Sequence, residues 1–444
     1  MSKALELKRE LGAPEALSLV IGTIIGTGIF LKTATMAQLV GSPWMVLLAW
    51  AVAGVMSLAG ALVYAELGEL FPRAGGEYIY VGAAYGRGLA FLYGWQRFWI
   101  GSPGSIAAYA VGSSTFLHGL IALDGMLKTL VAVLLIAVFT LLNCFAVRVG
   151  GKAQAALTAL KMILIFGLTF ALLLFCPTGN WSHLRETGQA IPGLSAFGLA
   201  VLSALWAFDG WNNLPMAAGE VKDPSRVVPL ALVIGVIAVF ATYACANIAY
   251  FYALPMETVL SANSKSFPDA LPVATLAAQS LLGAKGIALL AFAMVVSALG
   301  AMNGSILTGA RIPYAMAVDG IFPRKLAQLS ERGRVPVAAV VVQGIWACVL
   351  AVSGTFDQLT DWVVFSSWIF YALCGFSVLI FRRKLRSEPR RYKTPLYPFL
   401  PLGFCLLALA LLVNTLISSP RESALGLAFI LGGIPFFYWG KRST

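Results

Sequence analysis

Apolar residues gather in twelve stretches, near 15–39, 43–70, 89–117, 127–147, 154–176, 194–218, 229–253, 285–316, 336–353, 359–381, 397–417 and 424–440. A helix needs about 20 apolar residues to cross the hydrocarbon of a bilayer, so the pattern predicts an all-α membrane protein with twelve transmembrane helices and no sizeable soluble domain. Two stretches are interrupted at their middles. The first carries Gly22-Thr23-Ile24-Ile25-Gly26-Thr27-Gly28-Ile29-Phe30, and the sixth carries Trp206-Ala207-Phe208-Asp209-Gly210-Trp211-Asn212-Asn213. Backbone that leaves the helix at membrane depth survives only where it is buried in protein or lines a wet cavity. A pair of broken spans, one in each half of a chain, points to a central binding site near the midplane.

If the break in span 1 corresponds to the break in span 6, spans 1–5 and 6–10 are two repeats. An odd number of spans per repeat makes the second enter from the opposite side, an inverted 5+5 arrangement. The expected organisation is a tail over 1–13, a first repeat over 14–178, a second over 192–382 and helices 11 and 12 over 396–440. Spans 3 and 8 are unusually long, which predicts tilted helices.

Composition agrees with a membrane chain: 59% of the 444 residues are hydrophobic and 11% charged, with a mean hydropathy of +0.84. Soluble domains carry about 25% charged residues. The net charge of +12 raises a nucleic-acid partner, but Lys and Arg sort by side. With the N-terminus inside, 23 of them fall on the inner side and 6 on the outer, the bias that sets membrane orientation. The expected partner is therefore the lipid bilayer, not nucleic acid, with both termini cytoplasmic. The basic run 382–393 reads as a topogenic, lipid-facing loop. The first span lacks a small-residue cleavage site, so no removable leader is expected.

The six cysteines are scattered with no CxxC spacing, and the two histidines, His118 and His183, fall in expected external loops. These predict no disulfide framework, no metal site and no cofactor. No HExxH or GxxxxGK[ST] occurs, which argues against a metalloprotease and an ATP-driven pump. A channel would need polar rings along a pore. A membrane-embedded enzyme would need a nucleophile–base pair or a metal set. The spans offer little of either.

Four motifs in order carry a resemblance covering nearly the whole chain. They are the glycine-rich run 22–30; Tyr64-Ala65-Glu66-Leu67-Gly68 with Pro72-Arg73-Ala74-Gly75-Gly76-Glu77-Tyr78; Trp206-Ala207-Phe208-Asp209-Gly210-Trp211-Asn212 with Glu220-Val221-Lys222-Asp223-Pro224; and Arg391-Tyr392-Lys393-Thr394-Pro395-Leu396-Tyr397-Pro398. The chain resembles the L-type amino acid transporter branch of the amino acid–polyamine–organocation superfamily, with its bacterial serine/threonine-exchanger-like members the nearest match. The resemblance implies a leucine-transporter-type fold, sodium-independent amino acid exchange and a place in a bacterial inner membrane. Eukaryotic relatives join an accessory glycoprotein through a cysteine in the loop after span 3. Here 118–128 holds no cysteine, so no disulfide-linked subunit is expected.

An amino acid presents a carboxylate and an ammonium close together. The N–H groups opening a half-helix attract the first, and the C=O groups ending the preceding half-helix attract the second. In span 1, Gly26, Thr27 and Gly28 are expected to present N–H groups, Thr27 also its hydroxyl, and Ile24 its C=O. In span 6 the carbonyls of Trp206, Ala207 and Asp209 are expected to face the ammonium. The competing reading is that these glycines only allow close helix packing. Trp206, near mid-span, is the expected aromatic lid, with Phe208, Trp211 and Asn212 as gate or nearby residues.

Lys161 stands mid-span 5, and the resemblance puts it where sodium-coupled relatives hold sodium. It is expected to bond carbonyls near Gly22–Ile25 and polar groups near Ser297 or Asn303; the alternatives are a proton carrier and a lysine snorkelling to the interface. Asp209 leaves two substrate classes open. It suits a cationic side chain, as in one eukaryotic branch, yet neutral exchangers share it, and the preferred reading is neutral L-amino acids. Arg97 departs from the family pattern; it pairs with Asp209 or another acid, or faces an inner vestibule. Glu66 reads as structural or as part of a cytoplasmic gate.

Overall fold

The computed structural model describes residues 7–118, 121, 123, 125–145, 147–188, 193–264, 266–267, 270–353, 356–418 and 420–442. The first six residues of the expected tail and 189–192, at the expected junction of the repeats, lie outside them. Twenty α-helices follow in order: α1 (Ala13–Ile24), α2 (Gly28–Val40), α3 (Pro43–Leu70), α4 (Glu77–Tyr85), α5 (Arg87–Gln96), α6 (Ser102–His118), α7 (Gly125–Asn143), α8 (Val147–Phe175), α9 (Leu194–Phe208), α10 (Asn213–Met216), α11 (Pro224–Ala253), α12 (Met256–Leu260), α13 (Val273–Leu282), α14 (Ala284–Gly309), α15 (Arg311–Val318), α16 (Val337–Ser353), α17 (Phe356–Lys384), α18 (Phe399–Ser418), α19 (Pro420–Leu431) and α20 (Gly433–Arg442). Among the described residues the extended pairing is one isolated bridge, Leu11 to Val221.

Among the described residues, eight helical stretches are long and apolar enough to cross a membrane, from Ala13–Val40 to Phe399–Ser418. The other expected spans are shorter or broken. The 194–218 stretch yields 15 residues of α9 before its break. The 89–117 stretch is α5 and α6 joined by a turn of π-helix at Arg97–Gly101, and the 424–440 stretch is cut between α19 and α20. Helices α4, α12 and α13 are additions outside the twelve apolar stretches.

Local chemistry sets the helix ends. Glu15 reaches back to accept the Gly12 N–H at 2.9 Å, the half of a capping box that a glycine leaves possible. Gly41 closes α2 in the left-handed region, with its N–H on the Ala37 carbonyl at 2.7 Å; Pro43 then opens α3, where a missing N–H is harmless.

Burial separates an inner set from an outer one. In the apolar window of Ala13–Val40, 78% of residues are buried, against 17% for Gly125–Asn143. Inside, α1 packs on α8, α11 and α14, α2 on α9, α3 on α11 and α9, and α6 on α14 and α17. Helix α8 shows why: Gln154, Thr158, Lys161 and Ile165 are buried, while Ile163, Phe170 and Leu174 are exposed. Its polar stripe, at i, i+4 and i+7, faces protein and its apolar stripe faces outward, which suits a lipid solvent.

The run 382–393 is not simply lipid-facing. Arg382 grips Glu66 through two bonds of 2.7 Å, Arg390 adds a contact at 3.3 Å, and the Thr394 N–H donates to Glu66 at 2.8 Å. Glu69 accepts from the Arg391 N–H at 2.8 Å. Two carboxylates at the end of α3 thus draw the basic segment inward, because buried Glu66 needs cations and donors.

Candidate functional site

The two breaks meet. Helix α1 loses its helical course at Ile25 (φ −74°, ψ 91°), and α9 does so at Asp209 (φ −67°, ψ 146°). Gly210 follows at φ +119°, and a Cβ there would lie 2.8 Å from the Thr23 carbonyl carbon. A Cβ on Gly28 would lie 2.6 Å from the Ala207 Cα. Glycine is required at both positions because backbone lies against backbone. The Thr23 hydroxyl, 2.9 Å from the Gly210 carbonyl, spans the contact.

Of the expected groups, the N–H of Gly26, Thr27 and Gly28 precede the first closure of α2, where Phe30 N–H meets the Thr27 carbonyl at 3.2 Å. The Thr27 hydroxyl is buried with no hydrogen-bond partner among the described residues. The carbonyls of Ile24 and Ala207 converge on the Tyr243 hydroxyl of α11, at 3.2 and 2.8 Å. A carbonyl has two lone pairs, so each keeps room for a second donor. The Trp206 carbonyl accepts the Asp209 N–H at 3.1 Å, so the turn itself uses one of the expected acceptors. Trp206 is buried and lies 5.6 Å from the Tyr109 ring, whose edge also limits Gly26. Phe208 packs on Tyr243 and Trp50, and Trp211 on Tyr64 and Tyr371.

Lys161 is fully buried. Its Nζ donates to the carbonyls of Gly22 at 2.9 Å, Ile25 at 2.6 Å and Ser297 at 2.8 Å. Three donors meet three acceptors, and the ammonium ties α1 and its break to α14. The Ser297 hydroxyl reinforces the tie through Ile25 and Gly26, at 3.1 and 2.9 Å. Gly300 makes the space, since a Cβ there would stand 2.9 Å from Nζ. Asn303 is not part of this group. It bonds Asn143 at 2.9 Å and Gln154 at 3.0 Å, joining α7, α8 and α14 nearly two turns along α14 from Ser297.

Asp209 accepts from the Tyr371 hydroxyl at 2.8 Å. Asn212 donates to Glu77 at 2.7 Å, and Tyr93 donates to the other Glu77 oxygen at 2.9 Å. Arg97 Nη2 reaches Asn213 Oδ1 at 3.4 Å and Met216 Sδ at 3.6 Å. Beyond the breaks, Arg311 forks onto Glu220 at 3.0 and 2.8 Å, and the Glu220 carbonyl holds the Leu11 N–H at 2.9 Å.

Sequence reasoning did not reach Tyr243, Tyr109, Glu77 or Glu220 as members of this region. A tyrosine hydroxyl placed mid-span at 243 was the available signal, because a buried hydroxyl in hydrocarbon needs a partner. Glu77 follows two glycines in a connecting loop, so nothing local marks it as buried.

Comparison with known proteins gives the chain's relatives. The amino acid permease family model matches residues 11–434. The serine/threonine exchanger SteT of Bacillus subtilis (strain 168) is 30% identical over 443 residues, covering 98% of both chains. The human b(0,+)-type amino acid transporter 1 is 30% identical over 443 residues, covering 98% of this chain and 88% of the relative. The human cystine/glutamate transporter is 29% identical over 446 residues, covering 98% and 87%.

Proposed function

The chain belongs to the amino acid permease family, and from that membership we propose a sodium-independent exchanger of neutral L-amino acids working by alternating access. It is a multi-pass membrane protein of a transporter family, not an enzyme. In this reading twelve spans, with both termini cytoplasmic in a bacterial inner membrane, form an inverted 5+5 repeat plus α18 to α20.

One observation carries the proposal. The buried, unpartnered Thr27 hydroxyl stands beside the open N–H groups of Gly26 and Gly28, while the Ile24 and Ala207 carbonyls meet at one point, on Tyr243. Donors for a carboxylate and acceptors for an ammonium thus lie on two adjoining breaks, the arrangement a zwitterion needs. Trp206 covers the substrate, with Phe208, Trp211 and Asn212 shaping the adjacent turn.

Lys161 supplies the positive charge that a coupling sodium ion otherwise brings between α1 and α14. Its three N–H donors are matched by three carbonyls. Loss of a proton would unmake one of those bonds, which favours a fixed cation over a proton carrier.

The test is ligand-induced stabilisation of the purified chain. A ligand at 100 times its Kd stabilises the folded state by about 2.7 kcal/mol. Neutral L-amino acids should raise the unfolding temperature, whereas their methyl esters and decarboxylated amines should not. Equal stabilisation by the esters would remove the break of α1–α2 from carboxylate recognition.

A further inference from the structure

A second set of buried ionisable side chains surrounds the α9–α10 break. Glu77 is 0% exposed, Arg97 4% and Asp209 7%. Asp209 opens the turn, Asn212 within it donates to Glu77 at 2.7 Å, and Arg97 reaches Asn213 at its end at 3.4 Å, so one guanidinium and two carboxylates meet on the same turn. The other ionisable groups around the set are the hydroxyls of Tyr64, Tyr80, Tyr93, Tyr109 and Tyr371 and the Cys374 thiol; of these, Tyr93 donates to Glu77 and Tyr371 to Asp209.

Arg97 is placed deliberately. It opens the π-turn Arg97–Gly101, a feature that concentrates at functional positions. Its side chain folds back over Gly101, where a Cβ would lie 2.9 Å from its Cδ and 3.1 Å from Nη1. Its hydrogen bonds are poor: Nη2 reaches Asn213 Oδ1 at 3.4 Å and Met216 Sδ at 3.6 Å, and Nε has no partner. A structural arginine is saturated by forked bonds, as Arg311 is on Glu220. Arg97 instead ends, incompletely bonded, on Asn213 of the turn that Asp209 opens, at the break that holds the proposed substrate site.

We propose that Arg97 is a tethered internal cation that sets side-chain selectivity. It compensates Asp209 where the side chain of a cationic amino acid would otherwise do so, and thereby disfavours amino acids with cationic side chains. A second cation beside Arg97 is repelled at short range in a low dielectric. Selectivity here comes from a built-in repulsion. The inference rests on the exchange reading above and specifies its substrate class.

Counterflow into proteoliposomes tests it, with labelled serine, arginine and glutamate offered to wild type, Arg97→Gln, Arg97→Lys and Arg97→Gln/Asp209→Asn. The wild type should favour serine over arginine, and Arg97→Gln should not raise the glutamate-to-serine ratio. Arg97→Gln should raise the arginine-to-serine ratio at least tenfold, Arg97→Lys should leave the ratio near the wild-type value, and the double variant should lose the gain. A purely structural arginine would lower all substrates in parallel, with the ratio unchanged; that result overturns the proposal, as does a wild type that takes arginine as readily as serine. If Arg97→Gln fails to fold, Gly101→Ala displaces the guanidinium while keeping its charge. It must then raise the same ratio, and an unchanged ratio refutes the proposal. No counterflow of any amino acid by the wild type would sink the exchange reading itself, a distinguishable outcome.

Discussion

Lys161→Ala removes the one side chain that bonds both the break of α1 and the middle of α14. The bonds lost run to Gly22, Ile25 and Ser297 at 2.9, 2.6 and 2.8 Å. Ile25 keeps the Ser297 hydroxyl at 3.1 Å, and Ser297, inside α14, keeps the helix ladder. The Gly22 carbonyl, in the last turn of α1, loses its partner outright. A buried group left unpaired costs about 1–3 kcal/mol, and a free-energy change of that size shifts a two-state equilibrium roughly 5- to 150-fold. The substrate-ready arrangement of the break is the state that loses. Counterflow kinetics in proteoliposomes should show a KM raised about tenfold or more and slower exchange, while yield and monodispersity in detergent change little, since insertion is decided by the apolar spans. Lys161→Arg, too large for the slot beside Gly300, should not rescue. Wild-type KM and rate in Lys161→Ala would refute the ion-replacement role and return Lys161 to a packing or snorkelling residue.

Further outcomes follow from the same geometry. Gly28→Val places a branched side chain where Cβ already lies 2.6 Å from the Ala207 Cα; α2 and α9 must part, so ligand-induced stabilisation should vanish while the protein still inserts. Tyr243→Phe removes the hydroxyl bridging Ile24 and Ala207; at about 1 kcal/mol for a hydrogen bond, KM should rise roughly fivefold, measured by counterflow. Arg311→Ala strands buried Glu220 and should reduce stability by about 3–5 kcal/mol, seen as a lower unfolding temperature. Arg311→Met with Glu220→Leu should recover most of that loss.

Much of this was legible because membrane chains have few ways to hide polar backbone. Three glycines within residues 22–28 and the Asp-Gly at 209–210 located both breaks, and the buried lysine at 161 stood out from an apolar helix. What escaped detection depends on residues distant in sequence. Tyr243 reaches carbonyls 219 and 36 positions away; Glu77 is buried by the turn at Asn212 and by Tyr93. Asn303, expected beside Ser297 as a partner of Lys161, lies nearly two turns along α14 from Ser297 and answers to Asn143 and Gln154 instead. The basic run after α17 looked like a lipid-facing loop because neither Glu66 nor Glu69 is near it in sequence. The short helices α12 and α13 were missed because a span-length window does not see them.

The central claim is amino acid exchange by this chain alone, without sodium. The most direct measurement uses the purified chain in proteoliposomes, with sodium replaced by choline on both sides and no second subunit. Labelled serine or threonine is offered to vesicles that are empty or preloaded with the unlabelled amino acid. The account predicts accumulation in preloaded vesicles, little in empty ones, and no increase on adding an inward sodium gradient. Uptake that requires that gradient, that is equal in empty and preloaded vesicles, or that arises only with an accessory subunit would contradict it.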